Sequence, residues 1–299
     1  LLIVNPVAGK GAGATRGEAL QQLLARDHRV ELVYTTSRGD ATRLARAGGS
    51  DVDRVIAVGG DGTLNEVLVG VLGVGSSPET RPALGFLPGG TANVATRAFG
   101  FASAPGPLAR ALPTMKGRLV DVGVADLAGD ERPFLLWCGA GVDAVVIDAL
   151  NTARTGHMGV AGLALNAPRV LSAVARYPAP EIHVTADGDE LLPVATVMLA
   201  NVGEIAFGGT VHPGATPFDG ELDLVTIREV GAVETVAMSA RMMLSELTKA
   251  PGVAHRTATT VGLRADGPVP VQLDGEPVGH LPIDVRVEPA AVRLLVGPS

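Results

Sequence analysis

The sequence predicts two domains, an α/β domain over residues 1–120 and a mostly antiparallel β domain over residues 121–299, with the last strand free to return to the first domain. Three observations predict this. Up to about residue 117, short apolar β-like runs alternate with helix signals, the pattern of a parallel sheet covered by helices. Beyond it β-like runs dominate, and Asp-Gly pairs recur at Asp187-Gly188, Asp219-Gly220, Asp266-Gly267 and Asp274-Gly275, the chemistry of tight hairpins. Three glycine-rich loops, beginning at Asn5, Gly59 and Pro88, each follow a strand-like run. Ligands of parallel sheets gather at that carboxyl edge.

In order, residues 1–4 form an apolar first strand, without the basic start and length of a signal peptide. Thr15-Arg16-Gly17-Glu18 opens a helix running to about Arg26. Residues 29–34 read as strand, 40–47 as helix, 54–58 as strand, 63–72 as helix, 83–87 as strand and 91–99 as helix. The second domain holds β-like runs at 118–124, 133–138, 181–186, 195–201, 221–227, 259–264, 269–273 and 283–288. Two helices interrupt it, at 159–176 and 233–250. There is no internal repeat and no long low-complexity tract; residues 73–82 form a short flexible loop.

Composition narrows the function. A chain of 299 residues, 46% hydrophobic and 18% charged, is long enough for two cores. No run of apolar residues is long enough to span a bilayer. The net charge of −7 and an aromatic content of 3% argue against nucleic-acid binding. The lone Cys138 permits no internal disulfide and points to a cytosolic home. The other histidines, His157, His183, His212, His255 and His280 among them, are too scattered along the chain to suggest a zinc site.

The loop Gly59-Gly60-Asp61-Gly62-Thr63 carries the chemistry. An apolar strand runs into glycines, and Thr63-Leu64-Asn65-Glu66 follows as a helix-start signal. Strand, glycine loop and helix N-terminus present backbone N–H groups to phosphate. Asp61 is the unusual element: a carboxylate beside phosphate oxygens is repulsive unless a cation lies between, which points to Mg²⁺ and phosphoryl transfer. The loop from Asn5 to Gly13 fits neither the Walker nor the dinucleotide pattern and is, alone, a flexible strand–helix turn.

Asn5-Pro6-x-x-Gly9, then Gly59-Gly60-Asp61-Gly62-Thr63-x-x-Glu66, then Pro88-x-Gly90-Thr91-x-Asn93 resemble, in order and spacing, the diacylglycerol kinase catalytic family. The likeness is strongest to its soluble bacterial lipid kinases, relatives of sphingosine and ceramide kinases. It continues through Asp219-Gly220-Glu221-Leu222-Asp223 and Leu273-Asp274-Gly275-Glu276-Pro277, so it covers nearly the whole chain. It implies a first domain with the parallel sheet of NAD kinases and diacylglycerol kinases, binding ATP, and a β-rich second domain binding lipid. The nucleotide contacts it implies are Asn5, Pro6, Gly9, Thr35, Gly59, Gly60, Asp61, Gly62, Thr63, Asn65, Glu66, Gly90, Thr91 and Asn93. Thr63 and Glu66 also read as a plain capping box, and Thr35 as a strand-end residue.

The resemblance further makes Glu276 or Asp274 the proton acceptor, with Asp61 and Glu276 in a catalytic Mg²⁺ network. Thr216, Asp219 and Glu221 would bind a structural Mg²⁺ at a site that also reads as a plain turn. Asp274-Gly275-Glu276, seen alone, reads as a hairpin with two exposed acids. Val94 departs from the pattern, since several bacterial relatives carry an aspartate there. The expected reaction moves the γ-phosphate of ATP to a lipid hydroxyl, diacylglycerol first, giving phosphatidic acid. The alternatives are another lipid alcohol, such as a sphingoid base or a monoacylglycerol, and a non-catalytic nucleotide or lipid sensor. Expected partners are a lipid substrate at a membrane surface, with peripheral contact at the inner face of the membrane, and no nucleic acid; a homodimer is left open. The helix at 158–177, with Arg154, Arg169 and Arg176, would meet the lipid, and Met238, Met242, Met243 and Leu244 would supply a pliable wall; ordinary core packing is the competing reading for both.

Overall fold

The computed structural model describes residues 1–90, 92–152, 160–229 and 231–297. The chain forms two compact units: Leu1–Val120 together with the chain from Ala290 onward, and Asp121–Pro289.

In the first unit β1 (Leu2–Val4) leads into a short, irregular helix, α1 (Ala8–Gly11), and then α2 (Gly13–Leu24). There follow β2 (Leu32–Tyr34), α3 (Asp40–Gly48), β3 (Arg54–Gly59), α4 (Asp61–Leu72), β4 (Ala83–Pro88), α5 (Val94–Phe99) and α6 (Pro105–Ala111). The strands are parallel in the order β2-β1-β3-β4. Beside β4, Leu294 pairs with Leu84, again in parallel. β1 and β4 are buried throughout and β3 from Val55 on, as expected of parallel strands covered on both faces. Leu20 and Leu24 of α2 and Leu108 of α6 pack with Leu2, Val4, Ile56, Val58, Leu87 and Leu295 into one core.

The second unit contains β5 (Arg118–Leu127), which starts in the first, β6 (Asp130–Phe134), β7 (Trp137–Gly141), α7 (Val142–Thr152) and α8 (Val160–Arg176). β8 (His183–Ala186), β9 (Asp189–Glu190), β10 (Thr196–Ala200), β11 (Leu222–Ile227), α9 (Ala232–Met243) and β12 (Val253–Ala258) come next. It closes with β13 (Thr260–Arg264), β14 (Pro270–Leu273), β15 (Glu276–His280) and β16 (Ile283–Leu294), whose end belongs to the first unit. One antiparallel sheet runs β12-β11-β10-β7-β14-β15. The other runs β16-β13-β8-β9, with β5 joined to β16 and β6. Alternate residues such as Val184, Ala186, Val261 and Leu263 point inward to meet Val197, Leu199, Leu224 and Val271, and the two sheets form a β-sandwich. The α/β unit and the antiparallel β unit are the fold class that the sequence predicts.

Several local expectations are corrected. α4 begins at Asp61, two residues before Thr63, because Gly60 is extended and acts as its N-cap. The run at 133–138 is two strands, broken where the amides of Leu135 and Leu136 turn to a side chain rather than to a neighbouring strand. A third helix, α7, interrupts the β region. α9 stops at Met243, since Ser245 takes a left-handed φ of 58°. Of the four Asp-Gly pairs only Asp187-Gly188 and Asp274-Gly275 hold positive φ at both residues and close hairpins, β8–β9 and β14–β15. Asp266-Gly267 links β13 to β14, which lie in different sheets.

Candidate functional site

Three loops leave the carboxyl ends of β1, β3 and β4 and touch through backbone. The amide of Asn5 donates to Val58 O at 2.9 Å, and the amide of Gly89 donates to Gly59 O at 2.5 Å. A Cβ on Gly90 would stand 2.5 Å from Gly60 Cα, and one on Gly9 2.5 Å from Gly89 O. The spacing of glycines in the sequence is therefore a packing requirement: side chains at these points would fill the loops' contact. Lone chemistry-bearing side chains then lock each loop. Asn93 sits at φ 45° and grips the third loop with both amide atoms, accepting from Gly90 N and donating to Gly90 O, each at 2.9 Å. Asn5 Oδ1 accepts from Val7 N, and its Nδ2 lies 3.4 Å from Thr63 Oγ1.

Asp61 stands in the first turn of α4, and its two oxygens accept from the amides of Val94 and Ala95, each at 3.1 Å. It thus caps α5 from a neighbouring loop. A carboxylate has about four acceptor positions, so these two bonds do not exhaust it. Val94 contributes its amide alone, since its side chain is 2% exposed and turned into the core. Among the described residues no side chain caps α4. Glu66 does not serve α4's own start; it reaches to α3, accepting from Gly39 N and Ala41 N at 3.0 and 3.2 Å. Thr35, following β2, donates its amide to Val4 O, while Thr36 bonds Asp40 and holds that carboxyl well below the usual carboxylate range. Pro6, Gly62 and Asn65 lie on these same loops and the first turns of α4; Thr91 lies outside the described residues. Sequence reasoning missed Arg16, which reaches from α2 to Pro88 O and Ser103 O, each at 2.6 Å, fixing the base of the third loop.

In the second unit, Asp274 and Gly275 form the β14–β15 turn. Asp274 is not an exposed hairpin acid: it is 9% exposed and accepts from the amides of Leu135, Leu136 and Trp137 at 2.9, 2.8 and 3.1 Å. Glu276 opens β15 and is part-exposed. Behind the turn, fully buried Gln272 accepts from Gly275 N at 2.7 Å and donates to Asp143 at 2.8 Å, while Asn151 donates to Gly275 O at 2.8 Å. Burial pushes the Asp143 carboxyl up to about 6, with Gln272 and Trp137 opposing. Only a polar residue inside an apolar strand run, Gln272 between Val271 and Leu273, hinted at this network.

An open cavity of about 580 Å³ lies beside β15, walled by Ala149 of α7, Ala173 of α8 and Val271 and Pro277 of the sheet, with Arg169 and Arg176 on its α8 side. Arg154, His157 and Met158 lie outside the described residues. The turn at 216–221 is tied inward, Gly220 N donating to buried Asp121 at 2.8 Å and Glu221 N to Asp219 at 3.1 Å. Finally, the histidines are not all scattered: His212 and His255 stack at 3.9 Å between ring centroids, beside Asp223. Burial, then His255, draws the His212 pKa below its ordinary value, with Asp223 opposing. Strand pairing, invisible in the linear spacing, joins them.

Comparison with known proteins agrees with these features. A model of the diacylglycerol kinase catalytic domain matches residues 1–126, and one of the YegS C-terminal NAD kinase beta sandwich-like domain matches residues 137–296. A Chromohalobacter salexigens protein named "Probable lipid kinase YegS-like" is 29% identical over 282 residues, 93% of this chain and 87% of that one. A Bacillus subtilis protein named "Diacylglycerol kinase" is 25% identical over 291 residues, 94% and 90% of the two chains. A crystal structure of a diacylglycerol kinase from Bacillus anthracis shares the fold at a TM-score of 0.75 and 23% identity, covering 99% of this chain and 96% of that one. Among the described residues no helix is long and apolar enough to cross a membrane. With its glycine-loop α/β unit and its β-sandwich each matched by a family model, the chain belongs to the diacylglycerol kinase catalytic-domain family, in its branch of bacterial lipid kinases.

Proposed function

We propose that the protein is an ATP- and Mg²⁺-dependent lipid kinase that phosphorylates a lipid hydroxyl, diacylglycerol first. The observation that carries this is the meeting of three glycine loops on one sheet edge, with the N-terminus of a twelve-residue helix, α4, which no described side chain caps, among them. Amides of a helix start bind phosphate well, and the close Gly60–Gly90 and Gly9–Gly89 approaches leave room for it by excluding side chains. Bound Mg²⁺ would neutralise phosphate charge, and Asp61 is the carboxylate of the first unit that would hold it. Asp219, with the backbone oxygens of Thr216 and Glu221, offers the oxygen set that suits a second, structural Mg²⁺.

The chain's own groups divide the remaining work. Glu276 is the better proton acceptor, because Asp274 already accepts three backbone N–H groups and so acts by fixing the turn that presents Glu276. The cavity beside β15 pairs apolar walls with Arg169 and Arg176, a lining suited to acyl chains under an anionic headgroup. On α9 Val233, Val236 and Met243, and Leu244 just after it, are exposed, which fits contact with a membrane surface.

The test is transfer of labelled γ-phosphate to mixed-lipid micelles containing Mg²⁺. Glu276→Gln should lower turnover by about 10²–10⁴-fold with little change in stability. Asp274→Ala should in addition cost about 3 kcal/mol in denaturant titration, since it orphans buried N–H groups. Label on another lipid replaces the substrate and keeps the mechanism. Intact ATP binding without transfer to any lipid would overturn the enzyme reading in favour of a sensor.

A further inference from the structure

β11 and β12 pair so that Val225 faces His255 and Thr257 faces Asp223. Asp223 and His255 are therefore diagonal neighbours on one face of the sheet. His212 reaches them from the loop after β10, a loop held by the bond from Val211 N to Gly203 O at 2.8 Å. Asp223 Oδ1 lies 2.6 Å from His255 Nε2 and 3.9 Å from His212 Nε2, and the three candidate ligand atoms are all within 4.8 Å of one another. Asp223 is buried, while the two imidazoles are each about a quarter exposed. Among the described residues this is the one such cluster of three His, Cys, Asp or Glu groups.

A hydrogen bond between Asp223 and His255 would account for that pair alone. It gives no reason for a second imidazole stacked against the first. Two imidazoles and a carboxylate are, however, the donor set of divalent transition metals. Ligand atoms around tetrahedral Zn²⁺ stand about 3.3 Å apart, given bonds of about 2.0–2.1 Å. Reaching that spacing requires the 2.6 Å pair to open and the 3.9 Å pair to close by less than about 1 Å each, and the two imidazoles, within 4.8 Å of one another, to close by at most about 1.5 Å.

We propose that His212, Asp223 and His255 form a binding site for a divalent transition metal, Zn²⁺ first, with a fourth position open to solvent between the part-exposed imidazoles. The metal joins the loop after β10 and the edge strand β12 to β11. The site is distinct from the nucleotide loops, the acidic turn and the lipid cavity assigned above, although Asp223 follows the Asp219–Glu221 turn in sequence.

The test uses the full chain freed of metal by a chelator, then titrated with Zn²⁺ by calorimetry and with Co²⁺ by visible absorption. Wild type should bind one ion, give the ligand-field bands of a low-coordinate Co²⁺ site, and unfold at a higher temperature with Zn²⁺ present. His212→Gln and His255→Gln should each weaken binding by at least about 10-fold and lose the bands, whereas the exposed control His183→Gln should change neither. Circular dichroism verifies that each variant is folded; if a glutamine variant is not, the alanine variant at that position takes its place. Absence of stoichiometric binding by wild type, or binding unchanged in both cluster variants, would overturn the proposal.

Discussion

At the residue scale, the acids of this chain are distinguished by what faces their oxygens. Asp61 and Asp274 meet backbone amides; Asp143 meets the Gln272 side chain in a low-dielectric setting, and burial pushes its carboxyl up to about 6 against the opposing pull of Gln272 and Trp137. The folded protein therefore retains a proton that the unfolded chain has released between about pH 4 and pH 6. The stabilising contribution of this group is complete below about pH 4 and is lost as pH rises through 6, by roughly 3 kcal/mol at most. Asp143→Asn should flatten stability over that window, as measured by urea midpoints from pH 4 to 7; an unchanged slope would place the proton elsewhere. The loops' chemistry was legible in the sequence because glycine, asparagine and aspartate are restricted to few backbone roles. The partners of Asp61 and Asp274 were not legible, since the amides of Val94, Ala95 and Leu135–Trp137 carry no residue-specific mark.

At the element scale, turn chemistry predicted two hairpins, overpredicted two and missed one. The β5–β6 turn is Ala128-Gly129, at φ 56° and 94°, the same left-handed pair as Asp274-Gly275 but with alanine where asparagine or aspartate is usual. An alanine there is strained by about 1 kcal/mol. Ala128→Asn should raise stability by about 0.5 kcal/mol, read as a higher denaturation midpoint with an unchanged slope. No gain would mean that the strain is relaxed in the folded chain. Helix α7 was missed for a related reason. Val142-Asp143-Ala144-Val145-Val146-Ile147 is apolar but for Asp143, so no helical period stands out, and only Gly141, at φ 86°, marks the change of direction.

At the scale of the whole molecule, the second unit is inserted into the first, entered along β5 and left along β16. The sequence shows a change of character near residue 117; in the structure Leu294 pairs with Leu84 and Leu295 is 1% exposed. Leu295 packs with Leu2, Ile56 and Leu87, so Leu295→Ala should cost about 2–4 kcal/mol in the first unit. Trp137, the single tryptophan, lies in the second unit and reports on it alone. Far-UV circular dichroism should thus show an earlier transition in the variant while Trp137 fluorescence moves less; identical shifts by both probes would mean that the two units unfold as one.

The insertion also sets a timetable for synthesis. A ribosome releases the residues of β1 to β4 long before Leu295, so the nascent first unit waits with the free flank of β4 uncovered and a hole in its core. An uncovered strand flank is a template for pairing with another chain. Most of the inserted β-sandwich is synthesised while its host stands open, but its strand β16 is complete only just before Leu294 arrives, so the two units finish almost together. Aggregation during expression is therefore a hazard of the first unit, and greatest for chains cut short before Leu294.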